Sequence, residues 1–387
     1  MTTQRFGGLR WPNRQELVLL KAAVLDGQAA LDAWHEWRRT GDIDAVDRPS
    51  YEVLPVLYRN IERLGGDDPD LGRLKGIYRR TWYHNQVLIR HAATAISELS
   101  SAGIEAMVLK GAAVMELHYH DHGIRPMHDV DILVPTPLAR QAIRAIQEAG
   151  WMPYPDPSRP VERDISVLHG AGFVNGQGGG VDLHWHALEE CCQDNADDDF
   201  WAASRPIALN GVPARAQSAT DLLLHLCVHG SRGQPDHVIR WVADALTVLR
   251  DGASPIDWDR LVSQASTRRL SLPVGESLRY VAETFGAPVP ADALVRLERA
   301  PVSWLERVDY RAQGARPTVY WAVAHDTARY FRMTRERPLA RRATGFPRYL
   351  AGLWQLEHTW QVPVEALRRV GRRLWETRFR PWRPIAP

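Results

Sequence analysis

The chain has 387 residues, 45% of them apolar and 24% charged, a composition that excludes a disordered or fibrous protein and allows two or three packed units. Its formal net charge of +2 gives no whole-chain case for a nucleic-acid partner. No run approaches the roughly 18 uncharged apolar residues of a membrane span, and MTTQRFGGLRWPNR lacks a signal-type apolar segment, so a cytoplasmic location is expected. Cys191, Cys192 and Cys227 offer neither a disulfide framework nor a CxxC zinc spacing.

The charge is uneven. From residue 301 onward there are 17 Arg against 7 Asp plus Glu, while the whole chain has only three lysines, Lys21, Lys75 and Lys110. Residues 12 to 101 read as helices, ELVLLKAAVL, SYEVLPVLYRNIERL and an amphipathic stretch from Leu71 to Leu99, separated by Gly, Asp and Pro breaks. From Gly103 to about Pro213 the pattern becomes short strands. IEAMVL (104–109) predicts a strand with a helix starting near Gly111, and DVDILV (129–134) predicts a second strand. TPLARQAIRAIQEAG predicts a helix capped by Thr136, with Pro137 at its first position and Gly150 at its end. VLHGAGFVN and GVDLHW, parted by NGQGGG, predict a hairpin. From Ser218 the chain returns to helix, through TDLLLHLCVHG and HVIRWVADALTVLRDG, to an Arg/Trp-rich tail. The division expected is a helical region over 1–101, a sheet-containing core over 102–215 and a helical region over 216–387.

Alternate residues of a strand share a face, so Asp129 and Asp131 project together about 7 Å apart. Two carboxylates at that separation repel by about 2 kcal/mol at an effective dielectric near 20, which a divalent cation removes. Hard oxygen ligands suit Mg²⁺ or Mn²⁺. Alone, the pair reads first as solvated edge residues or a helix or turn cap, and only second as a metal site. Three features add context. Lys110-Gly111 ends a strand where a helix begins, aiming an ammonium and backbone N–H groups at one point, although no Walker loop is present. Arg125 lies four residues before Asp129 with a guanidinium suited to phosphate. Asp182 supplies a third carboxylate on a later strand, a metal ligand or a base for an incoming hydroxyl.

The residues LKG (109–111), R-x3-DVDILV (125–134), VDLHW (181–185), LLLHLCVHG and IRWVADALTVL together resemble the uncharacterised nucleotidyltransferase family of the DNA polymerase β-like superfamily. The resemblance implies an α+β nucleotidyltransferase-type fold, a small mixed sheet with helices flanked by N- and C-terminal helical regions. It implies transfer of a nucleoside monophosphate from an NTP, ATP being expected, with Asp129, Asp131 and Asp182 holding Mg²⁺ or Mn²⁺. The wider superfamily's glycine-serine motif is replaced here by Lys110-Gly111. The resemblance also places His229, Arg240 and Asp244 near the nucleotide or acceptor, against the alternative of a buried polar contact between helices.

Other constellations weigh less. His118, His120, His122 and His128 suggest zinc but lack cysteine partners. His184 shares a strand face with Asp182 and either lines the site or packs beside it. His225 and His229 are four apart on a helix but lack the glutamate of HExxH. The tail reads as a packing helix with a solvated basic face, or as a surface for RNA, a membrane or a peptide. The function expected is Mg²⁺-dependent nucleotidyl transfer to a small-molecule, sugar or peptide hydroxyl or phosphate. The alternatives are γ-phosphoryl transfer by a kinase and a nucleotide-binding toxin-antitoxin or RNA-directed component. Nothing in the sequence identifies the acceptor or the oligomeric state.

Overall fold

The computed structural model describes residues 6, 10–66, 68–232, 239–315 and 319–379. The last eight residues of the basic tail, 380–387, lie outside them, as do the first two of HVIRWVADALTVLRDG.

At the centre is one seven-stranded mixed sheet in the order β3-β4-β5-β2-β1-β7-β6. Its strands are β1 (Met107–Val108), β2 (Val130–Leu133), β3 (Met152–Pro153), β4 (Gly170–Val174), β5 (Gly180–His184), β6 (Arg205–Leu209) and β7 (Val212–Ala216). β2 runs antiparallel to β1 and parallel to β5, so a strand close in sequence lies on one side and one about fifty residues away on the other. Every residue of β2 is buried, as expected of a central strand covered on both faces. The fold is therefore the α+β sheet with flanking helices that the sequence pattern implies.

The expected hairpin forms between β4 and β5. Its turn depends on Asn175, whose side-chain oxygen accepts from the backbone N–H groups of Gln177 and Gly179, and on Gly178 at φ +82°. A β-carbon at Gly179 would fall 2.4 Å from the His91 ring, so the turn is also held against the long helix behind it.

That helix, Leu71–Ser101, spans the sheet and buries Leu88, Ile89, Ile96 and Leu99 against it. Fully burying a side chain of this size stabilises the fold by about 1.5–3 kcal/mol. The helix after β2 differs from expectation at its start. Residues Thr136–Leu138 form a single 3₁₀ turn leading into Ala139–Glu148, and Thr136 does not cap it. Its hydroxyl instead donates to the Trp185 carbonyl at 2.6 Å, because that carbonyl lies just past the end of β5 and needs a donor. Gly150, at φ +88°, ends the helix as expected.

C-terminal helices Trp304–Gln313 and Val319–Met333 are tied to the segment after β5 through charges. His325 Nδ1 lies 2.8 Å from Asp309 and its Nε2 lies 3.4 Å from Glu189, while Arg329 and Arg232 also reach Glu189. Burial opposes protonation of His325, but the two carboxylates outweigh it and raise its pKa to about 10. A folded-state pKa above the unfolded value means that this contribution is complete below about pH 6.5 and is lost as pH rises through about 10. Urea titrations at pH 7 and 10 should accordingly show a larger loss of stability in the wild type than in His325→Gln.

Among the described residues, no helix is long and apolar enough to cross a membrane.

Candidate functional site

Register decides the centre of the site. Parallel pairing of β2 with β5 places Asp131 directly opposite Asp182 and Leu133 opposite His184. Asp129 precedes the first residue of β2 by one position, so the strand begins one residue later than the sequence pattern predicts. The neighbouring strand β1 hands the chain to a short helix at Lys110, whose φ of +42° is left-handed, an unfavourable conformation for a residue with a β-carbon. That turn sends the lysine back toward β2.

Lys110 Nζ reaches Asp131 Oδ1 at 2.5 Å. His184 Nε2 lies between the two paired strands, 3.0 Å from Asp131 Oδ1 and 3.1 Å from Asp182 Oδ2, with its side chain fully buried. Burial acts against ionisation of Asp131, but Lys110 and His184 hold its carboxyl well below the usual range. Asp182 is lowered too, burial again being outweighed by His184. His184 in turn is raised to about 9, the charges of Asp182 and Asp131 overcoming the cost of burial. Asp129 is the most exposed of the three, yet loss of surrounding solvent, then the charges of Asp131 and Asp182, raise its carboxyl.

A cavity of about 290 Å³ opens over these groups. Its lining includes Lys110, Gly111, Asp129, Asp131 and Asp182 together with Arg125, His229, Arg240 and Asp244. Every site residue expected from the sequence therefore borders this cavity, except His184, which sits beneath the carboxylates. The helix Ala219–Gly230 contributes His229, and Arg240–Arg250 contributes Arg240 and Asp244. His225, one turn before His229, is fully buried with its Nδ1 3.0 Å from Gln217 Oε1, a packing role rather than half of a zinc pair.

Arg125 sits differently from the loop guanidinium pictured from sequence. It is 6% exposed, and its Nε donates to both oxygens of Asp244, at 3.0 and 2.9 Å. Asp244 also accepts from the Tyr119 hydroxyl at 3.2 Å. The loop is shaped by Asn85, whose amide donates to the carbonyls of His122 (2.7 Å) and Arg125 (2.8 Å) and accepts from the Met127 N–H (3.3 Å). Asn85→Ala would leave these buried groups unpaired, and a loss of about 1–3 kcal/mol is expected in urea unfolding.

Gly111 is required by this packing. A β-carbon there would lie 2.1 Å from Arg125 Nη1 and 2.7 Å from Cζ, and the guanidinium is held by Asp244. Gly111→Ala should therefore cost about 1–3 kcal/mol in a denaturant titration, by displacing Arg125 rather than by straining the helix.

The loop histidines disperse instead of clustering. His118 meets Asp251 at 2.7 Å, His122 meets Glu116 at 3.0 Å and His128 meets Glu52 at 2.9 Å. Among the described residues, the group that can converge on a metal is Asp131, Asp182 and His184, whose donor atoms all lie within 4.8 Å of one another. The carboxylate oxygens of this group fit a divalent cation: protonated His184 bonds both aspartates and leaves ligation to their oxygens, and its charge with that of Lys110 leaves three neighbouring carboxylates under-neutralised.

Sequence reasoning missed Arg48 and Glu52, since the N-terminal helices carry no catalytic pattern. Arg48 lines the cavity, and buried Glu52 binds Arg240 at 2.9 Å beside it. They form an i,i+4 pair at 3.6 Å, which reads in sequence as an ordinary solvated helix pair, and only the approach of Arg240 brings them to the cavity.

Aspartates on adjacent parallel strands of a mixed sheet thus border a cavity that Lys110, Arg125 and Arg240 also line. The chain belongs to the family described as uncharacterised nucleotidyltransferase, whose model matches residues 50–286. Among curated proteins none matches it. Among solved structures, a similar chain is an antigenic nucleotidyltransferase-like protein from Paracoccidioides brasiliensis, with 14% identity over 56% of this chain and 94% of that one and a TM-score of 0.35, too low a similarity to bear on the site.

Proposed function

We propose that the protein transfers a nucleoside monophosphate from an NTP, with ATP the expected donor, to a hydroxyl or phosphate of a small-molecule, sugar or peptide acceptor. The observation that carries this reading is the register of β2 on β5, which sets Asp131 beside Asp182 with Asp129 at the same cavity. Residues 102–215 form the catalytic core in this reading, and the flanking helical regions complete the cavity.

Asp129, Asp131 and Asp182 would hold Mg²⁺ or Mn²⁺, which when bound supplies charge neutralisation at the reacting phosphate. His184 orients Asp131 and Asp182 by bonding one oxygen of each, leaving their remaining lone pairs for ligation. Lys110 bonds the same Asp131 oxygen, Oδ1, that His184 meets, so its main task is to orient a ligand rather than to bind phosphate directly. Arg125, locked on Asp244 and neutralised by it, fixes the wall of the cavity beside Gly111, so the groups that bind the donor need not reorganise. Such a site asks for positioning and charge compensation and for no covalent intermediate on the protein.

The test is incubation with Mg²⁺ and an acceptor panel, using ATP labelled in parallel at the α or the γ phosphate. Label carried from the α position with pyrophosphate release supports the reading. Transfer from γ alone would identify a kinase, and transfer from neither would identify a binding protein.

A further inference from the structure

In the Arg-rich C-terminal region, the helix Val362–Phe379 follows the 3₁₀ turn Thr359–Gln361 and carries five arginines against two glutamates. It rests on the body by one side. Val362 is buried there, and Arg369 stacks over the Trp354 ring at 4.9 Å while pairing with Glu365 at 3.0 Å. The exposed residues of the helix include two large aliphatic ones, Val364 at 45% and Leu367 at 74%. Three apart, they share a helix face. Arg368 and Arg372, one turn apart and both exposed, run along the flank of that pair, and Trp360, 69% exposed, stands in the turn that leads into it.

A surface helix ordinarily turns its apolar stripe inward and its charges outward. Here the packed side holds an ion pair, and the outward side holds aliphatic residues bordered by cations. Single exposed apolar residues are common, but a run of them at helical spacing marks a surface that binds something. The charge says what. From residue 301 onward there are 17 Arg against 7 Asp plus Glu, so the partner is anionic. It must also accept valine and leucine. RNA supplies phosphates but binds through bases stacked on aromatic planes, for which aliphatic side chains offer no platform. A second copy meeting this face by two-fold symmetry would bring Arg368 and Arg372 toward the same arginines. An anionic bilayer supplies both needs, an acyl boundary for the apolar side chains and headgroup charges for the guanidinium groups.

We infer that the outward face of Val362–Phe379 is a docking surface for an anionic lipid bilayer. The helix lies in the plane of the interface, with Val364, Leu367 and Trp360 at the acyl boundary and Arg368 and Arg372 at the level of the headgroups, their stems covering apolar surface. Attachment of this kind is peripheral and needs no membrane-crossing helix, of which the described residues contain none. The surface is independent of the reaction in the cavity and stands whichever group that site transfers.

Flotation of the full chain with vesicles tests this, using phosphatidylcholine alone or phosphatidylcholine and phosphatidylserine in equal amounts. The wild type should float with the mixed vesicles, much less with phosphatidylcholine alone, and less in high salt. Leu367→Ala should weaken partition about tenfold by removing apolar area from the interface. Arg368→Ala/Arg372→Ala should weaken it about thirtyfold, roughly fivefold for each arginine near an anionic surface. All three positions are exposed, so these variants keep the packing of the fold. Val295→Ala, at an exposed apolar position on the helix Ala291–Arg299, is the control and should float as the wild type does. Equal flotation with both kinds of vesicle, or none with either, would overturn the inference, as would wild-type partition in both Leu367→Ala and the arginine pair or equal weakening by Val295→Ala. Two further readouts name the replacement. Binding of a single-stranded RNA that the arginine pair weakens and Leu367→Ala does not, without flotation, would assign the face to nucleic acid. A dimer in sedimentation that Leu367→Ala dissociates, again without flotation, would assign it to a second copy of the chain.

Discussion

Asp131→Asn is expected to lower Mg²⁺-dependent turnover on the order of a thousandfold, the upper range for losing one preorganised charge-stabilising group. The substitution keeps the shape of the side chain and removes its charge. Its partners show why the effect concentrates here: Asp131 is bound by both Lys110 and His184, and it stands in register with Asp182. The new amide would still accept a bond from His184 but would leave Lys110 facing a neutral group. The stability change is expected to be modest, since removing a charge also relieves repulsion from Asp129 and Asp182, whose neighbouring charges already raise the Asp129 carboxyl. Turnover with α-labelled ATP and far-UV circular dichroism on the same preparation separate the two effects. Full activity in a folded Asp131→Asn would reject the ligand assignment.

The second large effect concerns stability. Arg125→Met is expected to destabilise the fold by about 3–5 kcal/mol, because it leaves the buried Asp244 carboxylate, 1% exposed, without the guanidinium that bonds both its oxygens. The Tyr119 hydroxyl would still donate to it but carries no charge. The double variant Arg125→Met/Asp244→Leu should recover much of that loss, since an apolar pair of similar volume carries no desolvation cost. Neither variant should support label transfer, as both remove the Arg125 side chain that shapes the cavity wall. The midpoint of urea unfolding for the wild type, the two single variants and the double variant forms the cycle that measures the coupling. Additive losses would mean that the Arg125–Asp244 bond contributes nothing beyond its separate contacts.

Particular residues show how much was legible in advance. The pattern of DVDILV, with apolar residues following two aspartates, is a local property of a strand start, and it located that strand to within one residue at each end. NGQGGG marked its hairpin because glycine and asparagine are the residues that accept a turn's backbone. Thr136 misled for an equally physical reason: a hydroxyl at a helix start bonds whichever acceptor is nearest, and the Trp185 carbonyl was supplied by a strand that helix-start rules do not see. Arg125 read as a loop cation because its partner, Asp244, is 119 residues away. Arg48 and Glu52 carried only the signal of an ordinary i,i+4 pair.

The sequence by itself determined the main helices, the strand of DVDILV, the β4–β5 hairpin and the family, because periodicity, turn residues and short ordered motifs are written within a few positions of one another. Tertiary structure alone decided which charges meet. Parallel pairing of β2 with β5 turned Asp131 and Asp182 into neighbours, slid His184 between them and aimed Lys110 at Asp131. Docking of the helices placed Asp244 on Arg125 and Glu52 between two arginines. Coulomb energies and desolvation depend on distance and burial in space, and neither quantity is encoded in any short stretch of chain.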